Sequence, residues 1–232
     1  MTSNTVVLSA DPVPSAADLR KARFWDRIAR KYAADPIADP AGYEATLRRV
    51  QGLLSPQHEV LEIGCGTGMT ALRLAGGTRH YLATDVSAGM IAIARERQAA
   101  APQALPQLHF ARADAEQPEP GPRRFDAVLA FNLLHLVDDL DQALAVAARA
   151  LRPGGRFISK TPCIAEMNPL VPRLALPLMR AIGKAPPVLS FDEARLRAAI
   201  ERQGFLIEAV EHHGTRGKDM RAFIVARAPG GA

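Results

Sequence analysis

Cysteine is scarce in this chain of 232 residues, which has only two. Cys65 and Cys163 are too few for a disulfide framework, and neither lies in a Cys-x-x-Cys pair or beside a histidine that would indicate a metal site. The sequence therefore predicts a protein of a reducing compartment, the cytoplasm, with no bound metal.

Long apolar runs and blocks of like charge are missing as well. No stretch approaches the ~20 uninterrupted apolar residues that cross a bilayer, and the start of the chain lacks the basic segment of a secretory signal, so we expect no integral membrane association. The net charge is +5, yet no block of five or six basic residues exists and aromatic residues make up only 5%. Nucleic-acid binding is therefore not expected.

What the chain does have is an alternation of short apolar runs and helical patterns. Strand-like runs occupy 59–63, 81–85, 108–111, 125–131 and 157–159, and helical patterns occupy 69–75, 88–98 and 138–151. Such alternation predicts an α/β fold with a parallel sheet covered on both faces. A capping box, Ser190 to Glu193, predicts a helix up to Gln203. The runs 205–210 and 222–226 then predict an antiparallel hairpin at the sheet edge.

Two segments lie outside this alternation. We predict that residues 1–17 form a flexible tail. We predict a helical cap at 18–55, with helices at 18–33 and about 43–54. We assign 56–232 to the main domain and 161–189, which holds six prolines, to a lid inserted after the fifth strand. Within that lid we predict a helix capped by Asn168, starting at Pro169, kinked at Pro177 and ending before Gly183. Its apolar positions are Leu170, Leu174, Leu178 and Ile182.

A glycine-rich loop, Gly64-Cys65-Gly66-Thr67-Gly68, follows the first predicted strand. Glycine lets the backbone approach a ligand closely at the carboxyl end of a strand, where open α/β sheets bind ligands. The alternative is that these glycines serve only the turn. Met69 stands where the dinucleotide fingerprint requires a small residue, which disfavours NAD.

Acidic residues end the next two predicted strands. Asp85 follows the loop by about 20 residues, where a carboxylate accepts ribose hydroxyls, although an acid at a helix N-terminus is an alternative explanation. Asp114 is a candidate for the exocyclic amine of adenine or, alternatively, a turn former before Pro118. The glycine loop and both acids fall at successive strand ends on one sheet edge, so together they predict a cofactor site.

With these residues the chain resembles the class I S-adenosylmethionine-dependent methyltransferases, and most closely the small-molecule branch typified by quinone-biosynthesis methyltransferases. The resemblance runs from about residue 24 to 227 and rests on 60–68, Asp85-Val86-Ser87, Asp114-Ala115, 125–129 and 151–155. It implies a Rossmann-like three-layer sandwich with a seven-stranded, mostly parallel sheet whose last strand is antiparallel. An N-terminal helical cap and an insert after strand five complete the implied fold.

The resemblance also implies a role for each matching residue. The loop faces the methionine part of S-adenosyl-L-methionine, whose amino group Glu62 helps to hold. Asp85 binds the ribose, while Asn132 touches the methionine end and borders the acceptor site. Val86 and Met90 enclose the adenine, with Asp114 and Ala115 at its edge, and Tyr32 caps the cofactor. The expected cofactor-binding residues are Tyr32, Glu62, Gly64, Cys65, Gly66, Gly68, Asp85, Val86, Met90, Asp114, Ala115 and Asn132.

Methyl transfer from a sulfonium is an in-line displacement, which requires alignment and exclusion of water rather than a side-chain nucleophile. A hydroxyl or carbon-acid acceptor also needs a base, and His135 is the candidate, with a structural loop histidine as the alternative. His212 and His213 are weaker candidates.

We predict a small, hydrophobic or aromatic acceptor, bound between the helix bearing Trp25 and Tyr32, the 132–135 loop and the insert bearing Leu174. Two alternatives stay open: a catalytically inert domain that binds a cofactor or a partner, and an NAD-dependent oxidoreductase. The oligomeric state is open too, and a homodimer is one alternative.

Overall fold

Seven strands form one sheet in the computed structural model, which describes residues 16–117, 125–168, 170, 173, 175–215 and 219–230. The strands are β1 (Glu59–Ile63), β2 (His80–Asp85), β3 (Leu108–Arg112), β4 (Phe125–Phe131), β5 (Leu151–Pro162), β6 (Leu206–Glu211) and β7 (Arg221–Arg227). Their order is β3-β2-β1-β4-β5-β7-β6. β7 runs antiparallel to β5 and β6, and the other neighbouring pairs are parallel. The predicted α/β class, seven-stranded sheet, antiparallel last strand and edge hairpin are confirmed.

Helices cover both faces of this sheet. They are α1 (Ala16–Ala34), α2 (Pro40–Gln51), α3 (Met69–Leu74), α4 (Ala88–Ala99), α5 (Leu140–Ala150), α6 (Leu176–Ala181) and α7 (Glu193–Arg202), with short 3₁₀ turns at Ala75–Gly77 and Ile164–Glu166. Apolar residues of α5 and α7 pack on one face, and those of α2, α3 and α4 pack on the other. α1 packs on α4 through Ala29, Met90 and Ile93. These layers are the predicted three-layer sandwich.

The central strands are apolar on both sides because both of their faces are buried. In β4, Val128 and Ala130 belong to the core beneath α5 and α7, whereas Ala127 and Leu129 belong to the core beneath α2, α3 and α4. A strand buried on both faces reads as a continuous apolar run, which is why 125–131 was recognisable.

The predicted start of α7 was wrong. Asp192, not Ser190, is the N-cap, and its side chain accepts the backbone N–H of Arg195. The N–H of Glu193 is bound by the side chain of Glu166, 2.9 Å away. Any of several polar side chains before a helix can cap it, and the local sequence did not show that Asp192 adopts the extended backbone of an N-cap.

The fifth strand is longer than predicted. Residues 152–155, which precede the predicted strand at 157–159, lie within β5, whose pairing with β4 shifts between Phe125 and Ala127. Gly154 has φ +73°, so the backbone bends through a glycine without leaving the sheet.

In the insert, Pro177 is the second residue of α6. Among the described residues before it, Leu170 is α-helical and Arg173 and Ala175 are π-helical, so the longer helix kinked at Pro177 stays a prediction. The predicted end of the helix before Gly183, which has φ +68°, is confirmed. Leu170, Leu178 and Ile182 are exposed. Leu174 and Pro169 lie outside the described residues.

Candidate active site

A cavity of about 740 Å³ lies at the carboxyl ends of β1, β2 and β4 and is also lined by residues of α1 and α2. Its volume is in the usual range for a small-molecule site. Most of the predicted site residues line it, which brings together segments from residue 25 to residue 132. These are Trp25, Tyr32, Glu62, Gly64, Cys65, Gly66, Asp85, Val86, Met90, Asp114, Ala115 and Asn132.

Gly68 does not line the cavity, although it belongs to the same loop. A Cβ on Gly68 would lie 2.7 Å from the ring of Phe110 and 2.9 Å from Cβ of Ala94, so this glycine permits close packing against β3 and α4. Gly66 is the opposite case, because a Cβ there would meet nothing within 4 Å. Its backbone is therefore the part of the loop that a ligand can approach.

Asp85 joins the end of β2 to the glycine loop. Its Oδ2 accepts the N–H of Gly66 and its Oδ1 accepts the N–H of Ser87, each at 2.9 Å. Burial raises the pKa of Asp85 to about 6, with a further rise from Asp26, although the two backbone bonds lower it. Each carboxylate oxygen has a second lone pair, so the side chain can accept hydroxyl donors in addition.

Glu62 is a buried acid in the floor of the cavity. Tyr81 donates its hydroxyl to Oε2 at 2.8 Å. Burial raises the pKa of Glu62 to about 8, and the negative charge of Asp85 adds to the rise, while the Tyr81 bond opposes it. Glu62 is therefore largely protonated at neutral pH until a cation lies beside it.

Cys65 is buried in the loop, and burial raises the pKa of its thiol well above the ordinary value. The reactive form of cysteine is the thiolate, so Cys65 is a structural rather than a nucleophilic residue.

Asp114 takes part in an ion-pair cluster that sequence reasoning missed. Lys21 on α1 lies 2.8 Å from Oδ2 of Asp114 and 2.5 Å from Oε2 of Glu116. Glu116 also accepts the N–H groups of Asp138 and Asp139. Burial lowers the pKa of Lys21, but the bonds to Asp114 and Glu116 outweigh that effect and raise it overall. One feature of the sequence could have indicated this role for Lys21. It lies four residues before Trp25, a spacing that places both side chains on the same face of α1.

Polar contacts also hold the remainder of α1 beside the cavity. Oδ1 of Asp26 accepts the hydroxyl of Ser87 at 2.6 Å and the N–H of Gly89 at 2.9 Å. Arg97 of α4 donates to Thr67 in the loop and to the carbonyl of Ala33. α1 is therefore fixed to the start of α4 and, through Arg97, to the glycine loop.

On the far side of the loop, Asn132 directly follows β4. It has φ +52°, and its N–H donates to the carbonyl of Lys160 at 2.7 Å. The Lys160 side chain lines the cavity and donates to Thr46 Oγ1 at 2.9 Å. Sequence reasoning missed Lys160, because a lysine in a strand ordinarily points to solvent.

His135, the predicted base, does not line the cavity. Burial lowers its pKa to about 4, and its carbonyl accepts the N–H of Leu189 in the insert. His213 shares hydrogen bonds with Thr46 and Glu211, and His212 lies 3.2 Å from Glu193. Neither of these two histidines lines the cavity.

Within the described ranges, no group of three or more His, Cys, Asp or Glu side chains is placed to hold a metal ion. The helices in the same part of the chain include none that is both long and apolar enough to cross a membrane.

Comparison with known proteins identifies the domain. A family profile described as "Methyltransferase domain" matches residues 61–157, which includes the glycine loop, Asp85 and Asp114. The methyltransferase GfsG of Streptomyces halstedii is 33% identical over 154 residues, 63% of this chain and 55% of GfsG. A demethylmenaquinone methyltransferase of Mycobacterium sp. (strain JLS) is 28% identical over 218 residues, 88% of this chain and 90% of that protein.

The fold has close counterparts among solved structures. The CcbJ methyltransferase of Streptomyces caelestis superposes with a TM-score of 0.70 at 21% identity, covering 90% of this chain and 99% of CcbJ. The chain spans less than two thirds of the length of GfsG and of several other curated relatives that it matches. The strand order, the strand-end cavity and the matched profile agree, and on these grounds residues 61–157 form a methyltransferase domain, as the resemblance to the class I S-adenosylmethionine-dependent methyltransferases predicts.

Proposed function

We propose that this chain transfers a methyl group from S-adenosyl-L-methionine to a small hydrophobic or aromatic acceptor by in-line displacement. The observation that carries the proposal is the meeting of Asp85, the open backbone of Gly66 and the buried acid Glu62 in one cavity. These groups match a ligand that has ribose hydroxyls at one point and an ammonium group nearby.

The residues fit each part of that ligand. Asp85 retains lone pairs for the ribose hydroxyls, and Glu62 gains a partner when a cationic amine enters. Val86, Met90 and Ala115 supply an apolar lining for the adenine ring, beside the carboxylate of Asp114. Tyr32 and Trp25, which contact each other edge to face with centroids 6.2 Å apart, cover the cavity from α1.

The acceptor occupies the part of the cavity beyond Asn132 in this proposal. Phe24, Trp25, Tyr43 and Phe131 line the cavity together with Pro186 of the insert. Aromatic side chains exclude water and stack on flat apolar ligands, which favours an aromatic or hydrophobic acceptor. The cap 18–55 and the insert 161–189 therefore act as a cover over the acceptor.

The chemistry requires little from the chain beyond alignment. When bound, S-adenosylmethionine supplies an electrophilic methyl carbon on a sulfonium. The aromatic wall and Asn132 hold the acceptor lone pair in line with that carbon and exclude water. His135 is half-buried and is not among the residues that line the cavity, so the proposal does not assign it the role of a base.

Turnover with a metabolite extract tests the proposal. The full chain is incubated with methyl-labelled S-adenosylmethionine and the extract, and labelled products are identified by mass spectrometry. We expect one or a few labelled apolar metabolites and stoichiometric release of S-adenosylhomocysteine. Binding of the cofactor without any labelled product favours the inert alternative, and His135→Ala should retain turnover.

We also propose the cytoplasm as the working compartment, supported by the two buried free cysteines. A homodimer remains a prediction, which light scattering of the purified chain measures directly.

A further inference from the structure

We propose that Lys160 and Arg221 form an anchor for a carboxylate on the methyl acceptor, at the side of the cavity made by α2, β5 and β7. The inference rests on the proposed function, because it concerns the acceptor of that same site. It goes further by assigning a charged group to an acceptor that is otherwise apolar.

Lys160 is a buried cation with spare donor capacity. It is 7% exposed and lines the cavity, and an ammonium group has three N–H donors. One donor is used by Thr46 at 2.9 Å, whereas the carboxylate of Asp219 lies 3.9 Å away, beyond hydrogen-bond distance. Burial of an ammonium whose donors are only partly used is costly, and an anion bound in the cavity would lower that cost.

Arg221 adds a second cation to the same wall. It lines the cavity from the start of β7, and its Nε donates to Oδ1 of Asp219 at 3.2 Å. The guanidinium pairs with Asp219 through Nε, and its terminal nitrogens make no hydrogen bond with the part of the chain that the structure describes. A guanidinium presents paired donors that match a carboxylate in two-point geometry.

Two nearby acids, Asp39 and Asp219, offset these charges only in part, because other donors already use most of their oxygens. Asp39 lines the cavity, but its oxygens accept the N–H of Gly42 and both the N–H and the hydroxyl of Thr215. Asp219 is not part of the lining, and its Oδ1 accepts the backbone N–H and Nε of Arg221. Its Oδ2 is buried, makes no hydrogen bond with the described residues and lies 3.9 Å from Nζ of Lys160, too far to use one of the ammonium donors.

The pKa of Lys160 reflects both its burial and the charges around it. Burial lowers the pKa of Lys160 and Arg221 lowers it further, although Asp219 and Asp39 raise it. Because the pKa is lowered overall, the protein's own carboxylates do not compensate fully for burial of the ammonium. An added anion would do so.

The anchor lies next to the predicted binding site for the methionine part of the cofactor. The carbonyl of Lys160 accepts the N–H of Asn132, and Asn132 is the residue predicted to contact the methionine part. Tyr43 and Phe131 line the same cavity. A flat acceptor held by its carboxylate at Lys160 would thus lie along aromatic side chains towards the glycine loop.

A binding experiment tests the anchor without requiring knowledge of the true acceptor. The full chain is saturated with S-adenosylhomocysteine and titrated with 2-naphthoate or its neutral counterpart 2-naphthamide. The variants are Lys160→Met and Arg221→Met, and Lys184→Met is the matched control, since Lys184 is exposed and does not line the cavity. Circular dichroism and the melting temperature of each variant are measured alongside.

We expect the wild type and Lys184→Met to bind naphthoate at least roughly tenfold more tightly than naphthamide. Lys160→Met and Arg221→Met should each lose most of that preference while their affinity for S-adenosylhomocysteine stays within about twofold. A purely structural Lys160 would instead lower the melting temperature when replaced and leave the preference intact.

Equal binding of the acid and the amide to the loaded wild type, or no binding of naphthoate, overturns the anchor. A preference that survives in both variants overturns it too, and Arg221→Met carries the test if Lys160→Met does not fold. Failure of S-adenosylhomocysteine to bind in the first titration contradicts the proposed function instead, so the two failures are distinguishable.

Discussion

Asp85 accepts the backbone N–H of Gly66 at 2.9 Å, a hydrogen bond between the end of β2 and the centre of the glycine loop. The bond spans 19 residues of sequence and connects two motifs that were recognised separately. It shapes the loop before any ligand arrives and places a carboxylate beside an open stretch of backbone. Because the loop is already held in this shape, the free-energy cost of reorganising the site on binding is small.

Replacing Asp85 tests its proposed contact with ribose. Asp85→Ala should weaken binding of S-adenosylhomocysteine by about 1.5–3 kcal/mol, the range for hydrogen bonds to a charged group. Asp114→Ala should cost less, because the carboxylate of Asp114 is already paired with the Lys21 ammonium and would accept one adenine N–H, whereas Asp85 would accept two ribose hydroxyls. Calorimetry measures both changes, and an unchanged affinity for Asp85→Ala would show that the ribose lies elsewhere.

The raised pKa of Glu62 leads us to expect that a proton is released when the cofactor binds. Its pKa of about 8 leaves it largely protonated at pH 7, and an ammonium partner stabilises the charged form and lowers that pKa. Binding should therefore release a proton near pH 7, which titrations in buffers of different ionisation enthalpy detect. Glu62→Gln should abolish the release, and an equal release in that variant would place the amine away from Glu62.

The same raised pKa makes a prediction for the unliganded protein. The folded state binds the Glu62 proton more tightly than the unfolded state, so its contribution to stability is full below the unfolded pKa near 4.3. That contribution is lost as the pH rises towards 8. Melting temperatures between pH 5 and 9 should therefore fall less steeply in Glu62→Gln than in the wild type, and parallel curves would contradict the assignment.

Lys21 should be important for the stability of the α1 cover. Lys21→Met leaves the buried carboxylates of Asp114 and Glu116 without their cation, and it should reduce the free energy of unfolding by about 1–3 kcal/mol. Lys31→Met, at an exposed site on the same helix, is the control. Urea unfolding compares the two, and equal stabilities would mean that the cluster contributes nothing net.

Two glycines of one loop should respond differently to alanine. Gly68→Ala forces a Cβ to within 3 Å of Phe110 and Ala94, so it should destabilise the fold by about 2 kcal/mol or more. Gly66→Ala meets no atom and should cost only about 1–2 kcal/mol for its left-handed backbone, yet weaken cofactor binding. Melting curves and calorimetry separate these effects, and strong binding by Gly66→Ala would argue against backbone contact there.

Local patterns predicted much of this fold because the central strands and their helices are specified by short-range signals. The apolar run 125–131 predicts a strand, and the glycines after β1 predict a loop, in each case from the local sequence alone. The position of the site at the strand ends could then be predicted, because parallel strands bring their carboxyl ends to one edge of the sheet.

Two of the misses have a common physical cause, which is that the partner of the side chain lies far away in sequence. Lys21 meets Asp114 across 93 residues, and Lys160 meets Thr46 across 114. A capping residue is decided by backbone geometry, which is why Asp192 replaced the predicted Ser190. His135 follows a strand as predicted, but it does not line the cavity and its carbonyl accepts the N–H of Leu189 in the insert, so its role as a base stays a prediction.

The central claim is that this cavity binds S-adenosylmethionine, and one calorimetric competition tests it most directly. The purified full chain is titrated with S-adenosylhomocysteine, alone and in the presence of excess NAD. The account predicts one-to-one binding of S-adenosylhomocysteine with an affinity that NAD does not change, because Met69 occupies the position where a dinucleotide loop needs a small residue. Tight binding of NAD, with no binding of either S-adenosylhomocysteine or S-adenosylmethionine, would contradict it.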